Sequence, residues 1–281
     1  MTLIPRTDLL TAFRSALAGP AAYQPPTNAI PTGISGLNDL LTPGTLTVIA
    51  GRWGHGADVL ATHLARTAAV HNSIPTLFTS GRNSDRIIME HLIAAQAGVP
   101  LIHLENGKLT DHDRNRIDAI SDAMRAAPLF INSTDRTITQ VAYHAKKTHA
   151  RLVVVESAHL LVDETRIKND EHRAEVQSRR LALLAREFEI PVVVAVPLVA
   201  REGRPADAKP IASDFGYRRA FELDADAVIL MHRPELNDEL HRAGEVDIAI
   251  VKHRNGDVGT VTACFQAAYD RILEIPKDSQ R

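Results

Sequence analysis

Short apolar runs and amphipathic segments alternate along most of this chain. Several of the apolar runs consist almost entirely of Val, Ile and Leu, as expected for strands buried on both faces of a parallel sheet. The predicted strands are 46–50, 76–79, 129–131, 152–155, 192–196, 227–231, 246–251 and 260–264. Segments with helical spacing of apolar residues lie between them, at 58–71, 84–97, 111–126, 137–148 and 172–188. The alternation predicts an α/β fold with right-handed crossovers.

The last two predicted strands are joined by 253–259, which contains Asn255 and Gly256. Asn-Gly between two apolar runs is a strong hairpin signal. We therefore expect the mostly parallel sheet to end in an antiparallel hairpin.

The first 28 residues have a different character from the rest. Apolar residues at helical spacing occupy 7–18, and a Pro-containing stretch follows them. This pattern predicts a helical arm and a linker over 1–28. A main domain is expected at 29–276 and a short tail at 277–281.

Composition narrows the class of protein. Of the 281 residues, 44% are hydrophobic and 23% are charged, which is typical of a globular protein. A net charge of −2 gives no overall attraction to nucleic acid, so DNA contact would need a local patch of basic residues.

Cys264 is the single cysteine, which excludes an intramolecular disulfide. With no signal peptide and no long apolar run, the sequence predicts a cytoplasmic protein without a membrane partner.

A phosphate-binding loop follows the first predicted strand. Gly51 and Gly56 have the spacing of the two glycines in G-x-x-x-x-G-K-[ST], and a helical pattern follows them. The next two positions, which hold lysine and a hydroxyl in that motif, are Ala57 and Asp58. The candidate nucleotide-binding residues are Gly51, Arg52, Gly54, Gly56, Ala57 and Asp58.

Five segments resemble, in order and spacing, the C-terminal RecA-like motor domain of DnaB-type replicative helicases. They are 30–40, 107–111, 184–192, 224–226 and 252–256, and the resemblance covers roughly 29–266. It implies a RecA-like P-loop NTPase fold, a mostly parallel sheet flanked by helices. It also implies an ATP-dependent DNA helicase that uses ATP and Mg²⁺ and assembles into a ring.

Within this resemblance, the side chains that carry ATP hydrolysis are replaced. Arg82 stands at the position of the glutamate that polarises water, and Glu156 stands at the Walker B aspartate. Together with Ala57 and Asp58, these leave no intact catalytic residue. Three of these changes, at Ala57, Asp58 and Arg82, cost about 2–3 kcal/mol each and predict turnover lower by about four to six decades. ATP and Mg²⁺ are expected as cofactors only if the divergent loop still binds them.

Several interpretations remain open for the unusual side chains near the loop. Asp58 either stabilises the helix N-terminus or pairs with Arg52 or Arg82. Arg82 in turn could form an internal ion pair with Asp58 or Glu156 in place of a phosphate. Trp53 either packs over the cleft or stacks on a base.

No metal site is expected from the histidines near the loop. His55 and His159 lack the pairwise spacing of metal ligands, and we interpret them as surface histidines.

The resemblance implies a further role for Lys252 and Arg254. At the matching positions of the family, two basic residues reach across the subunit boundary to the neighbour's γ-phosphate. The alternative is that both make salt bridges within the hairpin.

DNA contact is expected from the two loops that line the ring channel in the family, which correspond to 162–174 and 201–212. The first loop has balanced charges and the second a small positive surplus, which implies at most modest, salt-sensitive binding. The DNA-contact candidates are Arg201, Arg204, Lys209, Arg218 and Arg219.

These observations predict an ATPase-impaired, DnaB-like protein of DNA replication or repair that acts through oligomer assembly, DNA contact or both. Its partners would be copies of itself in a ring or a helicase-like subunit, and single-stranded DNA. One alternative is an active ATP-dependent helicase with a divergent P-loop. The other is a protein-interaction scaffold that binds neither nucleotide nor DNA.

Overall fold

The computed structural model describes residues 28–162, 167–199, 208–236, 242–254 and 256–275. The predicted arm helix at 7–18 and the tail at 277–281 lie outside the described residues, as do Arg201 and Arg204.

A nine-stranded sheet forms the centre of the described chain. Its strands are β1 (Leu46–Gly51), β2 (Thr76–Thr79), β3 (Leu129–Asn132), β4 (Leu152–Val155), β5 (Val192–Pro197), β6 (Ala227–His232), β7 (Glu245–His253), β8 (Gly259–Gln266) and β9 (Arg271–Glu274). The strand order is β3-β2-β4-β5-β1-β6-β7-β8-β9. Strands β1 to β6 are parallel, and β7, β8 and β9 add antiparallel pairs at one side. The predicted α/β sheet with an antiparallel C-terminal hairpin is confirmed.

Helices cover both faces of this sheet. They are α1 (Ala57–Arg66), α2 (Asp85–Ala97), α3 (Leu101–Glu105), α4 (Asp111–Ala126), α5 (Ile138–Lys147), α6 (Asp170–Phe188) and α7 (Arg219–Asp224). Helix α1 continues as a π-helical turn over Thr67–His71. Two buried apolar clusters lie on opposite faces of the sheet, one around α1 and α2 and the other around α5 and α6.

All five predicted helices and all eight predicted strands are present, with ends that differ by one or two residues in most cases. Sequence reasoning missed α3, α7 and β9. Each has only four to six residues, too few for a period of 3.6 or 2 to be recognised.

His63 in α1 is buried and lies beside a buried arginine. Its Nε2 donates to the Thr32 carbonyl at 2.9 Å, so its Nδ1, which faces Arg66 at 3.4 Å, is the unprotonated nitrogen. Burial, and then the charge of Arg66, lowers the pKa of His63 from 6.5 to about 4. The folded protein therefore holds this ring neutral.

We expect the free energy of unfolding to fall on acidification. The folded pKa of His63 lies below the unfolded value of 6.5, so the unfolded chain binds more protons below that pH and stability declines from about 6.5 towards 4. Between pH 7 and 5, His63 alone accounts for a loss of about 2 kcal/mol. Urea unfolding at both pH values should show a smaller loss for His63→Asn than for the wild type. The exposed His112→Asn is the control, and an unchanged pH dependence in His63→Asn would contradict the assignment.

Candidate functional site

Four parallel strands bring the candidate residues to one edge of the sheet. Strands β2, β4, β5 and β1 lie side by side in that order, and their carboxyl ends meet at this edge, where ligands bind in open α/β sheets. A cleft there is lined by residues from all four strand ends and from α1. The lining residues are Gly51, Arg52, Trp53, Gly54, Ala57, Asp58, Arg82, Glu156, Ser157, His159, Ala195, Val196 and Pro197.

The loop after β1 depends on its glycines. Gly54 has a φ of 79° and Gly56 a φ of 84°, in the left-handed region that favours glycine. A Cβ on Gly56 would lie 2.6 Å from the ring of Phe265, so only glycine fits there. Because the first N–H groups of a helix have no intrahelical acceptor, the loop and the start of α1 form a backbone environment suited to an anion.

The side chains above this loop pair with one another. Arg82 Nη2 donates to Asp58 Oδ2 at 2.9 Å and lies 3.7 Å from Glu156 Oε1. Of the pairings considered for Asp58, the one with Arg82 is therefore present, and Arg82 also reaches Glu156. An ion pair thus lies at the helix N-terminus, where a phosphate lies in P-loop proteins.

Glu156 follows β4 and is 7% exposed. Burial raises its pKa, against the opposing effects of the nearby Ser80 hydroxyl and the charge of Arg82. Its Oε1 accepts from the Asn83 amide at 2.9 Å, whereas Oε2 has no partner among the described residues. A buried carboxylate with a free oxygen fits a cation bound through water. The other residues of the loop fit Mg-ATP poorly, because Ala57 has no charge for a phosphate and Asp58 has no hydroxyl for Mg²⁺.

Arg52 contacts the segment after β5. Its Nη1 donates to the Ala208 carbonyl at 2.8 Å, and its Nη2 lies 3.5 Å from the buried carboxylate of Asp214. It therefore ties the loop to the segment after β5.

Trp53 is 69% exposed, and the guanidinium of Arg82 lies 5.5 Å from its ring centroid. The indole therefore lies at the mouth of the cleft, beside the arginine.

The prediction that His55 is a surface residue is wrong. His55 is 5% exposed and stacks on His232 with 5.4 Å between the ring centroids, because the loop folds against β6. Its Nδ1 accepts from the Arg233 backbone N–H at 3.0 Å. Burial, and then the charge on His232, lowers the pKa of His55 to about 4.

His159 is half-buried and lies in the cleft wall. Burial, followed by the charges of Arg218 and Arg82, lowers its pKa to about 4. Among the described residues, no group of three or more His, Cys, Asp or Glu side chains is arranged to hold a metal ion.

Lys252 and Arg254 lie at the opposite edge of the sheet from the loop. Lys252 Nζ donates to the carbonyls of Glu222 and Leu223, at 2.8 and 2.9 Å. Arg254 Nη1 donates to Asp226 Oδ1 at 2.6 Å, before β6 begins. Both therefore bind the end of α7 and the segment after it, rather than forming salt bridges within the hairpin. The length of β1, roughly 16 Å, separates them from their own cleft.

The described DNA-contact candidates all have protein partners. Lys209 Nζ lies 3.2 Å from Asp247, and Arg219 Nε lies 3.5 Å from Glu222. Arg218 donates to the Pro197 carbonyl at 3.3 Å, and its guanidinium lies 4.5 Å from the centroid of the Tyr217 ring. Arg218 and Tyr217 thus lie next to the cleft.

Sequence reasoning missed Ser80 and Asn83. Ser80 Oγ accepts from the backbone N–H groups of Arg82 and Asn83, at 3.2 and 3.0 Å. This turn directs Arg82 towards Asp58 and Asn83 towards Glu156. The available signal was a serine directly after a buried strand, since hydroxyls commonly organise such turns.

Comparison with known proteins identifies relatives over nearly the whole described chain. The family described as DnaB-like helicase C terminal domain matches residues 29–274. The replicative DNA helicase DnaB of Leifsonia xyli is 30% identical over 281 residues, which cover 97% of this chain and 62% of that protein. The Treponema pallidum protein of the same name is 33% identical, covering 87% of this chain and 56% of its own length. The chain thus spans about 60% of the length of these relatives.

Solved structures agree on the fold. A DnaB-like replicative helicase, whose structure describes its interactions with primase, superposes with a TM-score of 0.82 at 18% identity, covering 98% of this chain and 68% of that one. A KaiC-like protein from Pyrococcus horikoshii superposes with a TM-score of 0.60 at 16% identity, covering 89% of this chain and 100% of that one. The predicted RecA-like fold is confirmed.

None of the described helices combines the length and apolarity needed to cross a bilayer.

Proposed function

Because this chain belongs to the DnaB-like helicase C-terminal domain family, we propose that it is an ATPase-impaired member of that family. It would serve DNA replication or repair through assembly with other subunits, through DNA contact, or both. The observation that carries the proposal is the ion pair of Arg82 with Asp58, 2.9 Å long, at the N-terminus of α1.

Electrostatics supports weak binding of a triphosphate. The Asp58 carboxylate lies in the first turn of α1, close to where phosphates bind in a P-loop, and like charges repel there. Ala57 offers no cation in compensation. Binding would also need Arg82 to leave Asp58 and Glu156, which would place those two carboxylates beside the incoming charge.

The chemistry supports slow turnover as well. A guanidinium carries no free lone pair and stays charged, so Arg82 cannot orient or deprotonate a water molecule. Glu156 is held by Asn83 and Arg82 within the same network. Hydrolysis would therefore lack both its base and its phosphate lysine.

A calorimetric titration with Mg-ATP, followed by a turnover assay, tests the proposal. We expect a Kd weaker than about 1 mM and turnover below about 10⁻³ s⁻¹, four to six decades under common values of kcat. Micromolar binding with turnover near 1 s⁻¹ would contradict the proposal and favour the alternative, an active ATP-dependent helicase with a divergent P-loop.

Assembly is supported by the position of Lys252 and Arg254. They lie at the sheet edge remote from the chain's own cleft, and the Arg254 side chain is 62% exposed. From that edge they could act only on a site of another subunit. Partners of this kind are further copies of the chain in a ring, or a helicase-like subunit with an intact P-loop.

DNA contact is supported by basic side chains near the cleft. Lys209 and Arg219 are exposed, and Tyr217 beside Arg218 combines an aromatic face with charge, a combination that binds single-stranded nucleic acid. Arg201 and Arg204 complete the candidate set outside the described residues. Salt-dependent binding of single-stranded DNA separates this proposal from a scaffold that binds neither DNA nor nucleotide.

A further inference from the structure

Two arginines from distant segments converge on the end of α2. Gly98 follows that helix with a φ of 64°. Arg116 Nη2 from α4 and Arg271 Nη1 from β9 both lie within 3.0 Å of the position that a Cβ on Gly98 would take. The two guanidinium groups therefore approach to within about 5 Å, a separation at which like charges repel.

A third arginine, Arg66, reaches the same end of α2, where it contacts Gln96, two residues before Gly98. Arg66, the last residue of α1, is 6% exposed. It donates to neutral acceptors, Gln96 Oε1 at 2.6 Å and His71 Nε2 at 3.2 Å, and its buried Nε has no partner among the described residues. Burial, and then the charge of Arg271, lowers its pKa to about 10, so the guanidinium stays charged at neutral pH.

Among the described residues, no carboxylate pairs with Arg66, Arg116 or Arg271. The neighbouring acid, Asp270, binds His91 at 2.6 Å instead. Arg271 donates from its Nε to Gln266 at 2.6 Å and stacks its guanidinium on Tyr269. A buried charge in a protein is normally paired, so the buried guanidinium of Arg66, with two further partly buried arginines at the same helix end, favours the binding of an anion.

We propose that Arg66, Arg116 and Arg271 form a binding site for a phosphate group. A carboxylate would offset one of the three positive charges, whereas a phosphate dianion offsets two and offers acceptors in several directions. Arginine suits this role because its planar fork binds phosphate oxygens in pairs. The three side chains come from α1, α4 and β9, and the tertiary fold brings each of them to the end of α2.

This phosphate site is separate from the loop after β1. Arg66 ends the helix that Ala57 begins, and nine residues of helix span about 14 Å. The proposal therefore does not depend on whether the loop binds nucleotide.

The test is calorimetry with inorganic phosphate, at constant ionic strength, on the wild-type chain and on Arg116→Gln and Arg271→Gln. We expect wild-type binding with a Kd of about 1 mM or tighter, weakened about tenfold by either substitution. The matched control is Arg114→Gln, an exposed arginine on the same helix, which should bind like the wild type. A parallel titration with a nucleoside monophosphate distinguishes free phosphate from a phosphate ester as the source.

Two results would overturn the proposal. One is no binding heat at about 10 mM phosphate, ten times the expected Kd. The other is equal binding by wild type and both variants, which would place the phosphate elsewhere, including the loop after β1. Thermal unfolding of each variant without phosphate confirms that it is folded.

Discussion

The triple variant Ala57→Lys, Asp58→Thr and Arg82→Glu is expected to hydrolyse Mg-ATP at least about 10⁴-fold faster than the wild-type chain. Lysine at 57 would supply the missing phosphate cation, and threonine at 58 would supply a Mg²⁺ hydroxyl and remove a repelling carboxylate. Glutamate at 82 would put a base where the wild type has a permanent cation. The expectation depends on the loop backbone, in which Gly54 and Gly56 adopt left-handed conformations.

Part of the expected gain in activity comes from tighter binding of Mg-ATP and part from a faster hydrolysis step. Ala57→Lys with Asp58→Thr should tighten Mg-ATP binding about 100-fold, because each charge-assisted hydrogen bond contributes about 1.5–3 kcal/mol. Turnover should rise only when Arg82→Glu is added. Calorimetry measures the first gain, and a phosphate-release assay measures the second.

A matched control exists on α4, where Asp122 and Ala123 are both exposed. Asp122→Thr with Ala123→Lys makes the same change of charge and residue type far from the cleft, and should leave ATP binding at the wild-type level. If the 57 and 58 double variant still shows no binding at millimolar ATP, the loop backbone does not form a phosphate cradle.

Asp226→Ala is expected to lower the free energy of unfolding by about 3 kcal/mol. Asp226 is 5% exposed and connects the start of β1 to the hairpin. Its Oδ2 accepts from the Leu46 backbone N–H at 3.0 Å, and its Oδ1 accepts from Arg254 at 2.6 Å. The substitution would leave the N–H of fully buried Leu46 without an acceptor, which accounts for most of the loss.

Asp226→Asn separates the two contributions. Its amide oxygen can still accept from Leu46, so only the ion pair with the exposed Arg254 is lost, at a cost of about 1 kcal/mol or less. Urea unfolding of both variants measures the difference. Equal stabilities for Asp226→Ala and Asp226→Asn would show that the Leu46 hydrogen bond contributes nothing.

Much of the fold could be predicted from the chain itself. The strands at 152–155 and 192–196 are unbroken apolar runs because both faces of a central parallel strand are buried. Such runs can be recognised directly in the sequence. Thr110 and Thr137 begin helices with capping boxes, so α4 and α5 have local start signals. Helix α7 and strand β9 lack such signals, and contacts distant in sequence determine them.

The candidate site, like the fold, could be predicted only in part from the sequence. Glycine spacing after β1 identified the loop, because a turn that needs left-handed backbone selects glycine locally. The resemblance to the DnaB-type motor domain also identified Arg82 and Glu156 as departures from a hydrolytic site. It left open whether Asp58 pairs with Arg52 or with Arg82.

Only the tertiary structure decided which charges meet. Arg82 reaches Asp58 because β2 and β1 end at the same edge and the Ser80 turn directs its side chain, whereas Arg52 is drawn to Asp214. The burial of His55 and the convergence of Arg116 and Arg271 on Gly98 likewise join residues far apart in sequence. Side-chain pattern along the chain determined the elements, since periodicity and turn chemistry act locally. Distances between charges depend on how those elements pack, which no local pattern records.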